Sequence, residues 1–507
     1  MNIYEAKNEI KNTIKVYLQK NKYGEYAISR VRQRPVMLIG APGLGKTAIM
    51  EQIAQEIGVG LVAYSITHHT RQSAIGLPFI SEKRYGEKDY KITEYTMSEI
   101  IASVYDTMEK TGLKEGILFI DEINCASETL APTMLQFLQY KQFGQHRVPD
   151  GWVIVAAGNP PEYNKSVKEF DAVTLDRVLL MDVTPNYKVW KRYATEYKLH
   201  NAIISYLDLN ENNFYKVEST VDGKEIVTAR GWDDLSQVIR MREELNMPVK
   251  KQLIMQYLQH RDVATHFANY YDLYNKYKKD YNMDHILLGE SAQSDMAKIR
   301  NALFDERLSF ISILIEKLAT YMFEFLKEEE ITVNLYAHLK ELRDLYTKEK
   351  FNWEEVIAYY NEAEAEVMNK IENKRFDKKS KEIHLDMLKL MDMYIENSRK
   401  ACADGGEKAF EHVRAYFSER TENEAKEAEK INGYLDNAFA FVERAFGSGQ
   451  EIVVFVTELT YNYHCIRFLT EHQNDTFIKY NKELLFEQKE KAILDDLTRL
   501  DDMLLEL

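Results

Sequence analysis

VMLIGAPGLGKTAIMEQIAQEI, residues 36–57, decides how the rest of the chain is read. Val36 to Ile39 form a short apolar run of the kind a strand shows when it is buried on both faces. A glycine-rich turn follows, and AIMEQIAQEI then reads as a helix. Gly40, four intervening residues, Gly45, Lys46 and Thr47 have the spacing of a phosphate-binding loop. Glycines let backbone N–H groups wrap phosphates, Lys46 offsets the charge of the outer phosphates, Thr47 supplies a Mg²⁺ ligand, and the helix N-terminus adds a positive end. The strand before the turn and the helix after it separate this loop from an ordinary glycine turn. The expected contact set is Gly40, Ala41, Pro42, Gly43, Leu44, Gly45, Lys46, Thr47 and Ala48, with ATP and Mg²⁺ as cofactors.

Outward from this stretch, between about Pro35 and Pro185, short apolar runs alternate with helical patterns, which predicts a parallel sheet with crossover helices. Five strands are expected, at 36–39, 61–65, 117–120, 152–157 and 179–183. Ligands of such a sheet sit at the carboxyl ends of its strands. The run GILFIDE ends there in Asp121, suited to holding Mg²⁺, and Glu122, suited to polarising an attacking water. AAGNP places Asn159 at the end of another strand, where its amide would orient that water or touch the outermost phosphate, although Asn-Pro is also a common turn starter.

Two pieces interrupt the pattern. The 66–116 segment is longer than one crossover helix requires, and within it LPFISEKRYGEKDYKITEY alternates around Gly86 like a hairpin. QFGQHRVPDG suits a turn or small hairpin before the fourth strand. Beyond Pro185 strand signals nearly vanish, apart from a possible hairpin around Asp222-Gly223, and from about Ser291 long Lys/Glu-rich segments carry apolar residues every three or four positions, broken at ADGGE and GSGQE. The expected domains are 1–187 with the α/β sheet, 188–290 as a small helical domain, and 291–507 as an all-helical region. The first residues, MNIYEAKNEIKNTIKVYLQ, read as an amphipathic helix and lack the continuous apolar core of a signal peptide.

A chain of 507 residues with 45% hydrophobic and 29% charged side chains has ample material for several cores. Its net charge of −15 repels a phosphate backbone at long range and disfavours nucleic acid as the main partner. Cys125, Cys402 and Cys465 lie far apart, without metal-ligand spacing or an even-numbered framework, and point to a reducing compartment. No apolar run approaches the ~20 residues that cross a bilayer, so the cytoplasm is the expected location.

Taken in order, GAPGLGKT, ILFIDEIN, VIVAAGNPPEYN, TLDRV and TARGW make residues 30–245 resemble the AAA+ ATPases, and more narrowly their MoxR family. The resemblance implies an AAA+ P-loop αβα domain with a parallel five-stranded sheet, a helical lid and an all-α C-terminal region. Lys46 and Thr47 would belong to Walker A, Asp121 and Glu122 to Walker B, Asn159 to sensor 1 and Arg230 to sensor 2, with Trp232 anchoring the helix that carries Arg230. Arg177 looks like the arginine finger that reaches a neighbouring subunit's ATP, with Arg147 and Arg71 as alternatives and a local pair with Asp176 as its bland reading. The 66–116 and 142–151 segments match in position the helix-2 insert and the pre-sensor hairpin. His68, His69, Arg71 and Lys83 are the polar residues there.

The resemblance further implies a ring homo-oligomer, a hexamer, whose ATP hydrolysis drives chaperone-like remodelling or activation of a protein client, commonly one with a von Willebrand factor A domain. Two other functions compete. A nucleic-acid motor or restriction-type translocase requires a basic pore surface. A nucleotide-gated scaffold with little hydrolysis has no use for Glu122 and Asn159.

Overall fold

A computed structural model describes residues 1–68, 71–163, 170–220, 223–290, 293–373, 375–447 and 449–484. Five strands make the central sheet: β1 (Val36–Gly40), β2 (Gly60–Ser65), β3 (Gly116–Asp121), β4 (Trp152–Gly158) and β5 (Leu179–Val183). Each contains one predicted run. Their order is β2-β3-β4-β1-β5, and every neighbouring pair is parallel. Because β1 sits beside β4, and β4 beside β3, the loop after β1 and the ends of β3 and β4 share one edge of the sheet.

Alternate side chains of a strand point to opposite faces, and both faces here are covered. Val36, Leu38, Phe119 and Val155 pack with the helices Ile3–Tyr17 and Lys46–Ile57. Met37, Leu118, Ile120 and Ile154 pack with the helices Glu99–Thr111 and Ala131–Tyr140. This double burial is why the strands read as continuous apolar runs. The N-terminal helix begins in a reciprocal cap between Asn2 and Glu5 and buries Ile10, Ile14 and Tyr17.

Among the described residues, three antiparallel hairpins stand outside the sheet. Pro78–Tyr85 pairs with Lys88–Tyr95 and turns at Gly86, whose φ of 64° suits glycine. Gln142–Phe143 pairs with His146–Arg147 over two residues a side. Lys216–Thr220 pairs with Gly223–Val227, as the expected hairpin near Gly223 requires. Asp222 lies outside the described residues.

The chain divides into two compact units. The first comprises Met1–Trp190, Phe214–Asp234 and Asn373–Arg375, and the second Lys191–Asn213, Leu235–Glu372 and Phe376–Leu507. The third hairpin and the start of the helix Ala229–Glu244 therefore belong to the unit that holds the sheet.

The second unit is helical and contains helices as long as Phe304–Tyr346 and Gly406–Phe446. The glycine breaks fall where the sequence places them: Gly405 precedes the second of these helices and Gly447 follows it, both with positive φ. Leu339, Tyr346, Met387, Met391 and Val413 share its core. Near its start Lys191, only 6% exposed, is held by Asp208 at 2.8 Å and Glu458 at 2.6 Å.

Candidate active site

The loop after β1 bends through Gly43 and Gly45, with φ of 77° and 88°, which only glycine adopts without strain. Gly40 is needed for another reason: a Cβ there would lie 2.8 Å from the Val183 carbonyl oxygen of β5. Ala41, Pro42 and Leu44 complete the turn. Thr47 and Ala48 begin the helix on its exposed side.

Lys46 is 8% exposed and folds back into the loop. Its Nζ donates to Gly40 O at 2.6 Å, Ala41 O at 3.0 Å and Asn159 Oδ1 at 2.9 Å. Burial pushes the amine down to about 8, against the pull of Asp121 and with the Arg230 guanidinium opposing its charge. Thr47 Oγ1 donates to Asp121 Oδ2 at 2.9 Å. The residues predicted from four separate motifs therefore meet at one edge of the sheet.

Glu122 follows Asp121 in a left-handed conformation, φ 56°, which turns its side chain sharply off the strand. Its Oε2 accepts from Thr67 Oγ1 at 2.9 Å and Ser65 Oγ at 3.2 Å. Strand register explains the meeting, because Ser65 and Asp121 are direct partners across β2 and β3.

Residues 35–178 match the family model of the AAA domain, dynein-related subfamily. This part of the chain is an AAA domain. No curated protein matches the chain. Among solved structures, a proposed ATPase from Cytophaga hutchinsonii ATCC 33406 is 17% identical, with a TM-score of 0.21 over 36% of this chain and 52% of that one. The chain thus spans about half the length of that structure.

The geometry of the AAA domain also brings in residues to which the sequence reading gave no role. Asn124, 7% exposed, clamps the backbone of Asn159: its Nδ2 donates to Asn159 O at 2.7 Å and its Oδ1 accepts from Asn159 N at 3.3 Å. The clamp fits only against a glycine, since a Cβ on Gly158 would lie 2.6 Å from Asn124 Oδ1. Ser65 ends β2, and Thr67 and Asn124 stand within three residues past the ends of β2 and β3, so the carboxyl-edge rule applied to these strands would have found them.

Arg230 is brought to the loop, where its Cβ and the Thr228 side chain stand beside Gly43. Trp232 is fully buried and donates from Nε1 to Phe214 O at 3.1 Å. Tyr215 donates to Pro42 O at 2.9 Å, a contact for which the sequence holds no local signal.

Arg177 is exposed, and its guanidinium makes no hydrogen bond or ion pair among the described residues, Asp176 included. Arg147 is also exposed, on the two-residue hairpin. The helix Arg71–Ile75 is described but the Arg71 side chain is not. His69 and the side chain of His68 likewise lie outside the described residues, whereas Lys83 pairs with Glu94 across the long hairpin. Among the described residues no helix is long and apolar enough to cross a membrane.

Proposed function

We propose that the chain is a magnesium-dependent ATPase of the MoxR type that assembles as a homo-oligomeric ring, a hexamer, and uses ATP turnover to remodel or activate a partner protein. The contact of Thr47 Oγ1 with Asp121 Oδ2, beside Lys46 and Glu122, carries the reading. A hydroxyl and a carboxylate at 2.9 Å are the hard oxygen donors that Mg²⁺ takes. When bound there, the ion would neutralise charge on the phosphate oxygens.

The chain's own groups divide the remaining work. Backbone N–H groups of the loop cradle the phosphates, and Lys46 exchanges its carbonyl partners for phosphate oxygens. Glu122 orients the attacking water and draws its proton, while Ser65 and Thr67 fix the direction of its carboxylate. Asn159, held by Asn124, presents its amide at the same edge. Arg230 reports phosphate occupancy to the helix that Trp232 anchors. Arg177, exposed and with no side-chain hydrogen bond or ion pair among the described residues, serves the ATP of the neighbouring subunit.

The client in this reading is a protein, one with a von Willebrand factor A domain, and the helical region 291–507 is where it docks. The AAA domain works as the motor, residues 188–290 outside the 214–234 segment as its lid, and the protein acts in the cytoplasm. The net charge of −15 opposes a nucleic-acid track.

The test is ATPase rate against protein concentration, with mass followed by light scattering, for wild type, Glu122→Gln and Arg177→Ala. Turnover that rises steeply with concentration and is lost in both variants is the expected result. Turnover that is independent of concentration and survives Arg177→Ala would remove the ring and the finger together.

A further inference from the structure

From the hydrogen bond between Tyr215 Oη and Pro42 O we infer that Tyr215 is a positioning residue for the phosphate loop, holding the Pro42–Gly43 peptide so that its N–H faces the phosphates. The inference rests on the ATPase reading above and goes beyond it, since Tyr215 lies 173 residues from Pro42 and outside the matched AAA domain.

Among the described residues no peptide bond is cis, and in a trans peptide the C=O and the following N–H point in opposite directions. A donor that fixes Pro42 C=O at 2.9 Å therefore fixes Gly43 N–H on the other side. Gly43 sits at φ 77° and, as glycine, has no Cβ to resist a rotation of that peptide. Proline cannot donate a hydrogen bond of its own to stiffen the turn. The loop itself thus holds this peptide weakly, and the restraint comes from outside it.

Tyr215 is well placed to supply that restraint. Its ring meets Tyr163 edge-on with centroids 6.5 Å apart. The hairpin that begins one residue later is tied by Lys224 Nζ to Glu162 O at 2.9 Å. Burial keeps the phenol far above its usual range, so it stays a donor at every working pH. The same segment continues to Thr228 and Arg230 beside Gly43. One strap thus joins the phosphate loop, the loop after Asn159 and Arg230.

Tyr215→Phe removes only the hydroxyl and keeps the ring. Kd for MgATP and MgADP is expected to rise roughly three- to ten-fold, the worth of one net hydrogen bond. AMP, which lacks the outer phosphates, should bind as in wild type, and kcat at saturating ATP should stay within about two-fold. Lys224→Met, an exposed change, should move Kd in the same direction by less and serves if Tyr215→Phe does not fold. Wild-type Kd for ATP in both variants would overturn the inference, as would an equal loss for ATP and AMP. Lys46→Ala separates the two levels: if wild type binds no nucleotide the ATPase reading fails, whereas binding lost in Lys46→Ala but intact in Tyr215→Phe sinks only this inference.

Discussion

At the scale of single residues the site is set by what each side chain is denied. Lys46 is denied water, and its amine falls to about 8 with burial as the main cause. A bound phosphate favours the ammonium and lifts that value again, so above pH 8 binding must take up a proton. MgATP affinity is then expected to fall as pH rises past 8, by at most about tenfold per pH unit. Calorimetry in two buffers of different ionisation enthalpy should show uptake near zero at pH 7 and approaching one proton at pH 9; no uptake at pH 9 would mean that Lys46 is not the phosphate's partner. Gly158 is denied a side chain by Asn124. Gly158→Ala must displace the Asn124 amide from Asn159, and a stability loss of about 1–3 kcal/mol in urea, with a fall in kcat, is expected. Asn124→Ala should reproduce the fall in kcat without the steric strain, and full activity in that variant would show that the clamp is dispensable.

At the scale of elements, the helical unit contains an ion cluster that ties its first helix to a much later one. Lys191 on the helix Tyr187–Glu196 meets Asp208, one residue before the end of the helix Asn201–Leu209, and Glu458 on the helix Gln450–Tyr461. Burial, with the neighbouring Asp208 charge, raises the Glu458 carboxyl despite the lysine. Lys191→Met leaves two carboxylates without their cation, and a loss of about 3–5 kcal/mol at pH 7 is expected. In the variant the Glu458 carboxyl binds a proton more readily when folded than when unfolded, so the deficit should shrink as pH falls from 7 toward the usual carboxylate range. Chemical denaturation at pH 7 and pH 5 checks both signs; a deficit that is equal at the two values would assign the loss to packing instead. Elsewhere the agreement follows from local pattern: each strand contains one predicted run, β1 and β4 end in glycine and β3 in Asp121, and the helix Gly406–Phe446 is flanked by Gly405 and Gly447.

At the scale of the whole molecule, the proposed ring predicts complementation. Lys46→Ala removes the phosphate contact within a chain and Arg177→Ala removes the contact given to a neighbour, so each alone should be inactive. A mixture of the two should regain ATPase activity, since some interfaces then pair an intact Lys46 with an intact Arg177; a mixture as inactive as its parts would return Arg177 to a local role. The sequence by itself determined the five parallel strands, the phosphate loop and the carboxylates at the strand ends. These depend on short-range pattern: a buried run, a glycine spacing, a residue just past a strand. Only the tertiary structure decided that Asn124 holds Asn159, that Ser65 and Thr67 hold Glu122, and that Tyr215 reaches Pro42. The same holds for residues 214–234, which the sequence assigns to a helical domain and which fold with the sheet. The physical reason is that strand order, and the side on which a returning hairpin lands, follow from packing between segments far apart in the chain, and a local pattern carries no record of that packing.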